Sequence, residues 1–181
     1  MKYFRVEMID KYTGEVLSGH HCAAAFILTK LGFKTSGTAK DIREIIDKIM
    51  VERDDLADQL CIMFALGNIP TPDVFGRDPE NHVCLYTAEK YEKYQFVFKS
   101  VDILLEKLSD RLKLVSKEFD IDDDEIIYRD PYQIVISWET YERHKDKHEH
   151  QEISEIDKDL IICTFDGITD DEIEEIEPAV Q

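Results

Sequence analysis

The chain has 181 residues, 43% of them hydrophobic, which is enough to core one domain that folds alone. Its formal net charge is -18 and unevenly spread: Met1–Phe119 carries 17 Lys and Arg against 19 Asp and Glu, whereas Asp120–Gln181 carries 5 against 21. This balance excludes a direct grip on nucleic acid, which needs Lys and Arg in excess, and no run approaches the roughly 18 apolar residues of a membrane span.

Lys2 to Met8 alternates, with Phe4, Val6 and Met8 on one face and Tyr3, Arg5 and Glu7 on the other, so it reads as a strand and not as a secretory signal. Asp10 to Gly14 has turn chemistry, and Glu15 to Ser18 is the expected return strand. Cys22 to Leu31 predicts a buried helix ending at Gly32. His20 and His21 beside Cys22 are read as ordinary helix-start residues, because adjacent residues on a helix do not face each other as a nucleophile and its base must. Apolar residues at three and four residue intervals predict a long helix over Thr38 to Leu66, with a bend near Arg53, Asp54 and Asp55.

Asn68 to Asn81 is punctuated by Pro and Gly and reads as a loop, followed by a short strand over His82 to Tyr86. From Thr87, a plausible N-cap, helical spacing of apolar residues runs through Leu112 and Val115 to Phe119 and predicts one long helix. Glu125 to Tyr128 and Tyr132 to Trp138 predict a hairpin. Glu139 to Asp159 is charged and reads as an exposed loop or solvated helix, Leu160 to Phe165 as a strand, and Thr169 to Ile176 as a short helix. The expected fold class is α+β, with a helical N-terminal body and a mostly antiparallel β region in the C-terminal third. Residues 1–67 supply a hairpin plus helices and 82–181 the long helix, the acidic strands and the final helix, joined by the 68–81 loop in one compact domain.

The four cysteines are widely spaced in apolar stretches, which suits reduced core thiols and an intracellular, cytoplasmic setting. No phosphate-cradling glycine loop occurs, so no cofactor and no catalytic residue are expected. The run Asp120, Asp122, Asp123, Asp124 and Glu125 fails as a calcium loop, since counting from Asp120 puts Glu125 where a Gly is needed and Pro131 where a Glu is needed. His144 and His148 share a helix face, with His150 nearby, but HExxH is absent and Lys145 and Lys147 repel a cation, so no metal is expected.

What remains is charge. The two acid clusters, Asp120 to Glu125 and the tail set Asp170, Asp171, Glu172, Glu174 and Glu175, are the expected partner-binding residues, with Tyr128, Tyr132 and Trp138 as candidate aromatic anchors. Strand side chains repeat about every 6.6 Å, a spacing at which a folded acidic face is acceptable to a basic groove built for nucleic acid. The acidic residues Asp120 to Glu125 and Asp170 to Glu177, with the size of the chain, resemble the anti-CRISPR proteins of phages and mobile elements that block Cas9. That resemblance covers the last third of the chain, and no family motif carries it. It implies a non-catalytic DNA mimic that occupies the basic nucleic-acid-binding surface of Cas9 or its guide-RNA complex and blocks DNA engagement. A structural or regulatory adaptor whose acidity serves solubility, and an enzyme without a recognisable motif, stay open beside it, as does self-association.

Overall fold

Alternation along β1 (Lys2–Asp10) puts Phe4, Val6 and Met8 on one face and Tyr3, Arg5 and Glu7 on the other, and the fold buries residues of both. The structure, a computed structural model, describes residues 1–32, 47–49, 51–63 and 69–154. Asp10 shapes the turn after β1: its side chain accepts from the amides of Tyr12 and Thr13, and Gly14, at φ +72°, donates its N–H to the Asp10 carbonyl. β2 (Val16–Gly19) returns antiparallel to β1 and leads into α1 (His20–Lys30). α2 (Asp54–Met63), α3 (Asp73–Arg77), β3 (His82–Thr87) and α4 (Ala88–Leu108) follow. Then come β4 (Leu112–Asp120), a single 3-10 turn at Asp123–Glu125, β5 (Tyr128–Arg129), β6 (Gln133–Ser137), α5 (Trp138–His144) and β7 (Gln151–Glu152).

All the described strands join one antiparallel sheet in the order β5-β6-β3-β1-β4-β7, with β2 also paired to β1. The longest ladder joins β1 to β4, from Lys2 opposite Asp120 to Asp10 opposite Leu112. The sheet separates two cores. On one face Val6, Met8 and Leu114 meet Ala23 and Ile27 of α1, Leu56 and Leu60 of α2, and Val97, Phe98, Val101, Leu104 and Leu105 of α4. On the other, Tyr3, Val83, Leu85, Phe119, Ile134 and Ile136 pack against Ile121 and against Tyr141 of α5. Each fully buried side chain of this kind stabilises by about 1.5–3 kcal/mol, which is why α4 is fixed by its packing more than by its cap. The cap is nonetheless where the sequence puts it, Thr87 Oγ1 accepting from Lys90 N–H at 3.4 Å.

This architecture corrects the expected division into a helical N-terminal body and a β-rich C-terminal third. Helix and antiparallel strand fit α+β broadly, but the sheet spans the chain and its centre is the N-terminal strand β1, flanked by β3 and β4. The helix expected to run from Thr87 to Phe119 ends at Leu108. Ser109 takes extended backbone, and Leu112–Asp120 is the strand paired along all of β1. Leu112, Val115 and Phe119 fit a helical period, but Leu114 and Ser116 on one face and Val115, Lys117 and Phe119 on the other fit a strand buried on both sides. The 68–81 loop contains α3, and β3 after it bonds directly to β1.

Smaller expectations also resolve. The helix expected over Thr38 to Leu66 is interrupted at Arg53, helical residues ending at 52 and resuming at Asp54, and its residues 38–46, 50 and 64–66 lie outside the described ones. His20 and Cys22 do not pair: His20 Nε2 meets the Tyr86 hydroxyl at 2.8 Å inside the core, while Cys22 is exposed. Two of the three described cysteines are not the core thiols expected, since Cys61 is exposed as well as Cys22; Cys84 is half-buried. Cys163, the Leu160 to Phe165 strand and the Thr169 to Ile176 helix lie outside the described residues.

Candidate functional site

The acid run at the end of β4 is pegged at both ends by apolar residues: Ile121 is 1% exposed in the smaller core, and Ile126 packs against the same cluster. Between them Asp122 and Glu125 form a capping box, in which the Asp122 N–H donates to Glu125 Oε2 at 3.2 Å and the Asp122 side chain accepts from the Glu125 amide. The sequence therefore folds its carboxylates onto a defined turn. Asp122, Asp123 and Asp124 remain exposed on it.

Basic side chains meet three of its five acids. Asp123 Oδ1 pairs with Arg129 Nη2 at 2.5 Å, across the turn into β5. Glu125 Oε1 lies 3.0 Å from His144 Nε2 and 3.3 Å from Arg143 Nη1, both on α5. Burial alone would raise the Glu125 pKa, but the His144 hydrogen bond, the Asp122 amide and the Arg143 charge together hold it below the usual carboxylate range. Asp120 Oδ2 is 3.2 Å from His148 Nε2. Asp122 is engaged by its cap, and Asp124 forms no ion pair among the described residues. The second cluster, Asp170, Asp171, Glu172, Glu174 and Glu175, lies outside the described residues.

The described part of the stretch expected to be an exposed loop or solvated helix, residues 139–154, is instead docked. α5 buries Thr140, Tyr141 and His144, and each histidine of the triplet takes a different carboxylate. His144 faces Glu125, His148 faces Asp120, and His150 Nε2 lies 2.7 Å from Glu7 Oε2. Lys147 Nζ sits 3.1 Å from His144 Nδ1, and an ammonium only donates, so Nδ1 accepts and the ring proton belongs on Nε2, aimed at Glu125. The pair His144 and His148 thus does not converge on one ion, for His144 is already committed.

Sequence reasoning missed Glu7. Its side chain is fully buried, accepts from the Tyr141 hydroxyl at 2.7 Å, and lies 3.2 Å from the Arg5 guanidinium, which stacks 4.4 Å from the centre of the Tyr141 ring. Burial and the neighbouring Glu7 charge raise the Tyr141 pKa. Beside this cluster Lys117 Nζ donates to the Lys145 carbonyl at 2.6 Å. The signal was present as Arg5 and Glu7 two apart on one strand face, but an opposite-charge pair there reads as a solvated edge until something covers it. Here α5 and the segment after it do.

Chemically this arrangement holds, and it does not offer a free base. Glu7 is engaged by three partners, two through hydrogen bonds and Arg5 through charge, and an open cleft of about 410 Å³ formed by Pro70, Thr71, Pro72, Asp73, Tyr128, Asp130, Pro131 and Tyr132 includes neither Glu7 nor any histidine of the triplet. Two of the anchors proposed from sequence are exposed, Tyr128 at 38% and Trp138 at 43%, while Tyr132 is half-buried beneath Lys90, whose ammonium lies 5.2 Å from its ring centre. No protein-family model, curated protein or solved structure matches the chain. Among the described residues no helix is long and apolar enough to cross a membrane.

Proposed function

We propose that this is a non-catalytic acidic protein that binds the basic nucleic-acid-binding surface of a partner protein in the cytoplasm and blocks its engagement of DNA. A CRISPR effector such as Cas9, with its guide RNA, is the specific candidate. The observation that carries the reading is the anchored acidic turn: Asp122, Asp123 and Asp124 are exposed on a capped 3-10 turn whose flanks, Ile121 and Ile126, are packed in the core. Carboxylates held this way lose less freedom on binding than a loose acidic tail would. Ile127, 49% exposed, and Tyr128 follow directly and supply apolar contact beside the charge.

The internal ion pairs narrow the contact set. Asp123 and Glu125 already meet the guanidinium groups of Arg129 and Arg143, and Asp120 is held by the His148 imidazole, so the charge offered to a partner comes first from Asp122 and Asp124 and then from Asp170, Asp171, Glu172, Glu174 and Glu175. The test is binding of the full chain to a Cas9 and guide-RNA complex at rising salt, with Asp122→Asn/Asp124→Asn beside wild type. Two surface charges at about 0.5–1 kcal/mol each predict a loss of about five- to thirtyfold at low salt that shrinks as salt rises. Binding that is indifferent to salt and to both substitutions would refute the reading.

Those same ion pairs favour a second reading, an adaptor whose acidity serves solubility. It predicts the opposite pattern: partner binding lost in Tyr128→Ala and kept in the double Asn variant.

A further inference from the structure

We propose that Glu118, Asp120 and His148 form a binding site for one divalent transition-metal ion of the zinc class. Glu118 and Asp120 are two apart in β4, so their side chains leave the strand on the same face. His148 reaches them from the segment between α5 and β7, whose backbone is tied down on both sides. Lys117 holds the Lys145 carbonyl, His150 meets Glu7, and Gln151 pairs with Ser116 of β4. The imidazole is therefore delivered to the carboxylates by a braced segment, a condition that a loose pair of surface acids lacks.

The distances suit a small ion. One ligand atom from each residue lies within 4.8 Å of the other two, and His148 Nε2 is 3.2 Å from Asp120 Oδ2. A tetrahedral zinc with bonds of about 2.0–2.1 Å sets its donors about 3.4 Å apart, so the His148 and Asp120 atoms already span one edge of the tetrahedron. Glu118 offers the third donor, a carboxylate oxygen within 4.8 Å of the other two ligand atoms. One imidazole nitrogen with two carboxylate oxygens suits zinc and its neighbours, whereas calcium takes about six to eight oxygens and magnesium keeps most of its water. Three protein donors leave the fourth position to water.

The competitor is internal. Lys2 Nζ lies 2.7 Å from Glu118 Oε1, but the Lys2 side chain is 64% exposed, and an ion pair so open to solvent is weak enough for a divalent ion to displace. The other two histidines are spoken for, His144 by Glu125 and His150 by Glu7, so the triplet supplies one ligand and not three. The net charge of -18 also raises the local cation concentration.

The experiment is calorimetric titration of the chelator-stripped full chain with zinc chloride, with far-UV circular dichroism to verify folding of each variant. Wild type is expected to take up one saturable equivalent. His148→Ala and Asp120→Asn are each expected to weaken it at least about tenfold. Lys2→Met, which removes the competing ammonium, is expected to tighten it, and His144→Gln to leave it unchanged. The proposal is overturned if wild type binds no saturable equivalent, or if His148→Ala binds the same equivalent with unchanged affinity, since uptake would then belong to the carboxylates of the C-terminal stretch.

Discussion

Glu7→Ala should be among the most damaging single substitutions in this protein, although it removes a charged residue from a strand. The side chain is fully buried, accepts two hydrogen bonds of 2.7 Å and neutralises Arg5, itself only 14% exposed. Removing one partner of a buried ion pair leaves the other charge uncompensated and costs about 3–5 kcal/mol. Against a typical total stability of about 5–15 kcal/mol that is a large fraction. With a urea slope of about 2 kcal/mol/M the midpoint should fall by about 1.5–2.5 M. Glu7→Gln keeps an acceptor and the volume but loses the charge, so about 1–3 kcal/mol is expected. Urea titration followed by Trp138 fluorescence is a suitable assay, because Trp138 is the single Trp and its ring lies 4.9 Å from that of Tyr141. Circular dichroism should give the same midpoint if unfolding is two-state. Tyr141→Phe should cost about 1.5–3 kcal/mol in wild type and almost nothing once Glu7 is Ala. A Glu7→Ala cost under about 1 kcal/mol, or full additivity with Tyr141→Phe, would show that the cluster does not hold α5 to the sheet.

Phe98→Ala removes a fully buried ring that packs 5.3 Å from both His20 and Tyr86, and thermal or urea unfolding should show a loss of about 3–5 kcal/mol. The folded pKa of Glu125 is lowered, so its stabilisation is complete above the unfolded value of 4.5 and is lost as pH falls through the folded one; urea midpoints measured from pH 7 to pH 3 should therefore drop less steeply in Glu125→Gln. Asp102 has the opposite sign, because burial raises its pKa, so Asp102→Asn should make the acid limb steeper by removing a group that gains stability as it protonates. In the Cys163→Ser protein, a thiol reagent should label exposed Cys22 under native conditions well before Cys84, whose thiol is pushed up to about 12 by burial; equal rates, read by mass spectrometry, would contradict the placement of Cys84 in the sheet.

Local chemistry made several elements legible. Alternation marked β1 and both its faces, Thr87 marked the start of α4, and Tyr132 to Trp138 marked β6, although the strand expected before it at Glu125 to Tyr128 is reduced to Tyr128–Arg129 because Glu125 is held in the 3-10 turn. The error at Leu112–Asp120 has a physical cause: Leu112, Val115 and Phe119 recur at three and four residue intervals and also sit in a strand covered on both faces, and periodicity cannot separate the two when apolar residues fall on both. The histidines were read as solvated because their partners, Glu7, Asp120 and Glu125, are 143, 28 and 19 residues away in sequence.

Composition and order of residues alone determined that this chain is acidic, that the excess lies after Phe119, and that its carboxylates begin in a tight run at Asp120. Those are sums and neighbour relations, and they survive any fold. Only the tertiary structure decided which carboxylates keep their charge exposed and which are answered, because a field between side chains depends on distance in space. Pairing β4 along β1 and laying α5 over Glu7 brought Arg143, His144, His148 and His150 to acids that no local pattern could have assigned to them.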